Sequence, residues 1–260
     1  MKVTCGADPE LFLVDFAGVL RSSIGKIGGS KEMPRPLPIG QGYCVQEDNV
    51  AMEFNIPPAE GRDQFIASID TTLAFLAESV KEMYGYGLSK ESAASFLGEE
   101  LDHPAALVFG CEPDFNAWTK DVNPKPKASD PNLRSCGGHV HVGFDINKVD
   151  QTEVIKMMDL HLGVPSVLMD TGDLRKQLYG KHGAFRPKSY GAEYRTLSNF
   201  WIFSNRLIGW VWDNTLRAVN AAESRLALSE EDGRNIALAI DGNDKALAWN
   251  LVNKYQLEVV

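Results

Sequence analysis

Gly137-Gly138-His139-Val140-His141-Val142-Gly143 places two imidazoles two positions apart in a valine-rich run. A β-strand sends residues i and i+2 to the same side. His139 and His141 would therefore look into one space, with Val140 and Val142 turned the other way. The same spacing recurs at Asp8/Glu10, Glu53/Asn55 and Glu193/Arg195, each inside strand-like sequence. Four strands that each gather polar groups on one face predict a sheet with an apolar side against a core and a polar, metal-binding side.

Around these stretches the chain alternates hairpin and helix signals. Residues 10 to 20 read as two strands about a turn at Asp15 to Gly18, and Tyr43 to Ile56 reads as a hairpin turning at Asp48-Asn49. In that hairpin Val50, Met52, Phe54 and Ile56 share one face, and Ala51, Glu53 and Asn55 share the other. Between the hairpins, Gly25 to Gly42 is rich in Gly and Pro without periodicity, which predicts a loop or flap over a site. Ile66, Ile69, Leu73, Leu76, Val80 and Met83 recur at helical spacing and predict a helix over Arg62 to Tyr84, stopped by Gly85. Ala105 to Gly110 reads as a strand, Thr119 to Arg134 as a surface loop, Gly138 to Phe144 as a strand and Lys148 to Leu162 as a helix. Leu174 to Tyr190 is a basic, Gly-punctuated segment, and Ala192 to Ser198 is a strand. Asn205 to Ala222, Glu230 to Ile240 and Asp244 to Tyr255 read as helices. No repeat interrupts this order, so a single α+β domain over residues 1–260 is expected, its antiparallel hairpins covered by helices and its end, 203–260, helical.

Composition narrows the function. A net charge of −9 argues against nucleic acid, whose phosphates are gripped by dense Lys and Arg. An apolar run near the roughly 18 to 20 residues that a membrane helix needs is missing, and the N-terminus carries no apolar signal segment. A cytoplasmic, reducing setting is the expectation, and Cys5, Cys44, Cys111 and Cys136 are expected as reduced thiols.

A lone histidine is most often structural, whereas two on one strand face are harder to satisfy without a ligand. Zinc sites use three or four N or S ligands, yet His103, His161 and His182 stand in no zinc-type spacing and no H-E-x-x-H run exists. The oxygen-rich stretches Gly6-Ala7-Asp8-Pro9-Glu10 and Gln46-Glu47-Asp48-Asn49-Val50-Ala51-Met52-Glu53 point toward a hard cation, Mg²⁺ or Mn²⁺. Within 174–188 stand Arg175, Lys176, Lys181, Arg186 and Lys188, a basic run in an acidic chain leading into Glu193 and Arg195. Guanidinium forks match phosphate oxygens, so metal ligands facing this segment would make a nucleoside triphosphate site. Gly25-Lys26-Ile27-Gly28-Gly29-Ser30-Lys31 is not a P-loop, because neither the spacing nor a strand-to-helix context is present.

The ordered set Gly6-x-Asp8-Pro9-Glu10, Gln46-x-Asp48…Glu53, Gly137-Gly138-His139-x-His141-x-Gly143, Tyr179-Gly180-Lys181…Arg186 and Tyr190-Gly191-x-Glu193-Tyr194-Arg195 resembles the glutamine synthetase-like carboxylate–amine ligases. It is most similar to the small phage and bacterial carboxylate–amine ligases of type 2, relatives of γ-glutamylcysteine synthetase. The resemblance implies a curved antiparallel sheet with a concave face for ATP and Mg²⁺ or Mn²⁺. It implies metal ligands at Asp8, Glu10, Glu53, His139 and Glu193, with either Glu47 or Asp48. Asp8 stands where the family has glutamate. Arg186 and Arg195 correspond to arginines that hold phosphates; with Glu53 they form the expected catalytic set. His141, Arg175 and Lys181 join the two arginines as expected cofactor-binding residues. No separate N-terminal β-grasp domain is expected, so neither ring assembly nor an intersubunit site is implied.

The activity so implied is ATP-dependent joining of a small-molecule or peptide carboxylate to an amine, through an acyl phosphate. Two rivals share the residues: a metallohydrolase using His139, His141 and the carboxylates, and a non-catalytic nucleotide-binding relative.

Overall fold

A computed structural model describes residues 1–108, 114–124 and 130–260. Thirteen strands and six α-helices are assigned among them. In chain order they are β1 (Thr4–Leu11), β2 (Leu13–Val14), β3 (Leu20–Arg21), β4 (Arg35–Pro36), β5 (Cys44–Asp48), β6 (Ala51–Asn55), α1 (Arg62–Tyr84), β7 (Gly87–Leu88) and β8 (Ala93–Ser95). There follow β9 (Phe115–Asn116), β10 (Leu133–Ser135), β11 (Gly138–Gly143), α2 (Gln151–Met158), α3 (Val164–Met169), β12 (Ala184–Lys188), β13 (Gly191–Tyr194), α4 (Asn205–Glu223), α5 (Glu230–Gly242) and α6 (Lys245–Tyr255).

Eight strands form one sheet in the order β4-β5-β6-β1-β11-β13-β12-β9, and every pairing is antiparallel. Paired residues in an antiparallel ladder point to the same side, so the registers sort the sheet into two faces. Ala7 pairs with Val140, Val140 with Tyr194 and Tyr194 with Phe185, while Leu11 pairs with Met52 and Val45 with Phe54. All of these are buried. Asp8 pairs with His139, His141 with Glu193, Glu193 with Arg186, Glu10 with Glu53 and Glu53 with Gln46. The alternation predicted at each strand is thus realised in one continuous polar face.

Helices cover the apolar side, α2 against β13 and both α1 and α2 against α4. In α1 Phe65, Ile69, Leu76 and Val80 are buried, each such burial contributing about 1.5–3 kcal/mol over exposure. Gly85 closes the helix in a left-handed conformation, its N–H donating to Lys81 O. Phe65 stacks on Trp201 at 6.0 Å, and the Trp201 indole donates to Gly138 O at 3.1 Å. A Cβ on Gly138 would lie 2.3 Å from Ser198 O, and one on Gly137 would lie 2.3 Å from His139 Nε2. The two glycines therefore make room for the chain's own groups.

Several boundaries differ from expectation. The 43–56 hairpin turns at Asn49-Val50, where Asn49 adopts φ 54°. Pro104–Leu107 is a 3₁₀ turn instead of a strand, because His103 Nδ1 accepts from Ala105 N at 3.2 Å and Pro104 starts the turn; residues 109 and 110 lie outside the described residues. The helix expected from Lys148 starts at Gln151, capped by Asp150, and its end widens into a π turn at Asp159–Gly163 that leads into α3. β12 occupies part of the basic segment. Its Pro187 is tolerated because β9 pairs only with Ala184 and Phe185, leaving that edge open further along. The expected surface loop at 119–134 runs at its end into β10, and its residues 125–129 lie outside the described ones. Cys5, Cys44 and Cys136 are free thiols, and Cys111 lies outside the described residues. No described helix is long and apolar enough to cross a membrane.

Candidate active site

The polar face lines a cavity of about 280 Å³. Around it, two groups of side chains each bring three possible metal-donor atoms within 4.8 Å of one another: Glu10, Asp48 and Glu53, and Asp8, His141 and Glu193. Strand pairing explains both. Glu10 and Glu53 face each other across β1 and β6, with Asp48 at the end of the neighbouring β5. Asp8 lies two positions from Glu10, and His141 and Glu193 face each other across β11 and β13.

The first group is acidic and crowded. Burial, with repulsion from Asp8, Glu10 and Asp48, holds the Glu53 carboxyl well above the ordinary range. Burial and the Asp48 charge push Glu10 up to about 7, although the Gly137 N–H donates to its Oε2 at 2.7 Å. Protons are retained where no counter-charge is present.

Histidines temper the second group. Burial works against ionisation of Asp8, but His141 and His139 hold its carboxyl well below the usual range. The His141 Nε2 to Asp8 Oδ2 distance is 3.0 Å, and His139 Nδ1 lies 3.4 Å from Asp8 Oδ1. Asp8 Oδ1 is nonetheless buried without a hydrogen-bond partner. His139 is pushed down to about 4 by burial and by Arg195, whose Nη1 stands 3.4 Å from its Nδ1. For Glu193, burial and Asp8 push upward, but Arg195 and the two histidines prevail and bring it to about 2. Glu193 also pairs with Lys188 at 2.8 Å and Arg186 at 3.4 Å and contacts the Arg195 guanidinium.

The donor set fits Mg²⁺ or Mn²⁺. It is mostly carboxylate oxygen with one imidazole, it leaves a buried carboxylate oxygen unpartnered, and its crowded acids gain from a divalent counter-charge.

Asp8, Glu10, Glu53, His139, His141, Glu193, Arg175, Arg186 and Arg195 all line the cavity. His141, whose Nδ1 is hydrogen-bonded to the Tyr190 hydroxyl, stands in the three-donor group, while His139 lies beside Asp8 and Arg195. Glu47 requires correction as a metal ligand. Strand alternation turns it away from Gln46 and Asp48, and its carboxylate accepts from the N–H groups of Gly25, Ile27 and Gly28 at 3.0, 3.0 and 2.7 Å. Asp48 faces the site in its place. Lys181 also departs from expectation: its side chain is exposed and does not line the cavity, because the 180–183 turn directs it to solvent. Arg175 is buried, donating to Thr196 O at 3.0 Å and Arg195 O at 3.2 Å.

Among the cavity residues given no role from the sequence are Gln46, Lys188 and Lys31. Gln46 carried a signal, since it lies two positions from Asp48 and pairs with Glu53. Lys188 stood in the basic run without its strand being recognised. Lys31, which reaches the lining from the 25–42 loop, had none.

These features define a class: an α+β protein whose large antiparallel sheet carries carboxylates, histidines and arginines on one face and a helical layer on the other. Residues 129–228 match the model of the phage phiEco32-like COOH.NH2 ligase-type 2 family, which is the family that the ordered motifs resemble. The matched part includes His139, His141, Glu193 and the arginines. Asp8, Glu10, Asp48 and Glu53 lie outside it and reach the same face through β-pairing. No curated protein matches the chain.

Proposed function

We propose that this protein is a carboxylate–amine ligase that uses ATP with Mg²⁺ or Mn²⁺, on a sheet face of the glutamine synthetase kind. One observation carries the reading. Two oxygen-rich, three-donor groups adjoin a wall of Arg186, Lys188 and Arg195 in one cavity, within a chain that matches a COOH.NH2 ligase model.

A carboxylate does not condense with an amine at neutral pH, because oxide is a poor leaving group. Phosphorylation by ATP makes the carboxylate an acyl phosphate and releases ADP. The amine then attacks the acyl carbon, phosphate departs with the C–O electron pair, and a proton is lost from nitrogen. Bound metal would neutralise phosphate charge and align the transferring group. Glu10, Asp48 and Glu53 would hold one ion and Asp8, His141 and Glu193 another.

The remaining work belongs to the cationic wall. Arg195, oriented by Glu193 and His139, presents a planar fork to the developing phosphoryl charge, and Arg186 supports it from the neighbouring strand. Arg175 carries buried positive charge at the same cavity. The substrates are a small-molecule or peptide carboxylate and an amine.

Hydroxylamine trapping tests the reading. With ATP, Mg²⁺ and a panel of amino-acid and peptide carboxylates, an acyl phosphate forms with release of ADP, and hydroxylamine converts it to a hydroxamate with release of phosphate. ADP release in water that is indifferent to hydroxylamine or any amine would favour a hydrolase, and nucleotide binding without turnover would favour a non-catalytic relative.

A further inference from the structure

Behind the sheet, away from the cavity, lies a carboxylate that the proposed chemistry does not use. Asp159 is fully buried at the start of the π turn. Its Oδ2 accepts from the Trp118 indole and from the Gly183 N–H, both at 2.7 Å, and its Oδ1 accepts from the Tyr194 hydroxyl at 2.8 Å. These three donors come from the turn after β9, the approach to β12 and the end of β13. One carboxylate therefore ties three sheet segments to the helical layer.

Tyr194 and Thr196 flank Arg195, and alternation sends their side chains behind the sheet while Arg195 faces the cavity. The Thr196 hydroxyl donates to Lys181 O at 2.9 Å and lies 3.4 Å from Asp159 Oδ1. On the other side, Arg175 binds the carbonyls of Arg195 and Thr196. The Arg195 backbone is consequently held from both directions.

The π turn makes the rear contact possible. Val164 N–H donates to Asp159 O, a five-residue step that widens the helix, and Gly163 leaves space for the tyrosine hydroxyl. A Cβ at Gly163 would stand 2.6 Å from Tyr194 Oη and 2.8 Å from Ile240 Cδ1.

We propose that Asp159 is a positioning residue for Arg195, acting through the Tyr194 hydroxyl, with the π turn and Gly163 as the device that brings the two together. The inference rests on the ligase reading for Arg195's role, but not for its position. Asparagine at 159 would preserve the arrangement, its oxygen taking the Trp118 and Gly183 donors and its amide donating to Tyr194 Oη. Alanine would abolish it.

The test joins a spectroscopic arm to a kinetic one. In ¹⁵N-labelled protein the Arg195 Nε–Hε signal is assigned by its loss in Arg195→Lys. Tyr194→Phe, Gly163→Ala and Asp159→Ala are expected to shift or broaden it, and Asp159→Asn to retain it. In ADP release with a working amine, Tyr194→Phe is expected to lower kcat about tenfold with the KM for ATP within about twofold, since small misplacement of an orienting group is costly. Added to Arg195→Lys, the same change should lower kcat by less than about twofold, because two changes acting through one group are non-additive. An unchanged Arg195 signal in Tyr194→Phe, or full multiplication of the two kinetic losses, overturns the inference. Should the wild-type protein show no amine-dependent turnover, the ligase reading falls while the Arg195 signal still decides the positioning role. If Asp159→Ala does not fold, the near-isosteric Tyr194→Phe carries the test.

Discussion

If Glu10, Asp48 and Glu53 hold the proposed divalent ion, lowering the pH from 8 to 6 should weaken its binding before the protein unfolds. The Glu10 carboxyl is pushed up to about 7 by burial and by Asp48, and it must be ionised to act as a ligand. With that value it is about nine-tenths ionised at pH 8 and about one-tenth at pH 6, so Mn²⁺ affinity should fall about tenfold, or about 1.4 kcal/mol, from this group alone. Glu53 is displaced in the same direction and His141 is also raised, Asp8 overcoming the effect of its burial, so the full dependence should be steeper. Without metal the sign reverses for stability. A carboxyl raised in the folded state favours the fold at low pH, fully below its unfolded value near 4.5, and that contribution is lost as pH rises through about 7. For Glu10 the difference is on the order of 3 kcal/mol between those limits. Mn²⁺ titration by electron paramagnetic resonance, with melting of the metal-free protein across the same range, measures both. Affinity that is flat between pH 6 and 8 would refute the assignment of Glu10 to a cation site.

Three further outcomes follow from the same geometry. Glu53→Gln should abolish ATP turnover yet raise the melting temperature of the metal-free protein at pH 8 by at least about 2 °C, since it removes a carboxyl crowded by three others; a marked fall on calorimetry would make Glu53 structural. Arg195→Lys keeps the charge and loses the fork, so kcat should drop about tenfold with ATP binding less affected; a near-normal kcat would return Arg195 to a purely structural pairing with Glu193. Glu47→Gln should leave Mn²⁺ stoichiometry unchanged but speed proteolysis near residues 25–28, whose three N–H groups it holds; loss of a metal ion instead would restore Glu47 to the ligand set.

Much of the polar face was legible because its signal is strictly local. A period of two in Gly138–Gly143 and around Glu53 and Glu193 is enough to say which side chains share a side. The same property explains the ambiguity of Glu47 and Asp48. Adjacent residues on a strand face opposite ways, so locating the turn one residue differently exchanges ligand for loop anchor. β12 was hidden because Pro187 and its charges read as loop, and only the short partner β9 makes that edge permissible. Asp159 left no sequence signal, since Trp118, Gly183 and Tyr194 meet it from 41, 24 and 35 positions away. The π turn likewise has no hydrophobic period distinguishing it from an ordinary helix end.

The central claim is that one sheet face couples ATP cleavage to amide formation. Quantifying ADP and amide product together, with and without an amine acceptor, tests it most directly. The account predicts ADP and amide in equal amounts, dependent on Mg²⁺ or Mn²⁺, with ADP release at background when the amine is omitted. ADP formed at the same rate without any amine, and with no amide product across the acceptor panel, would contradict it.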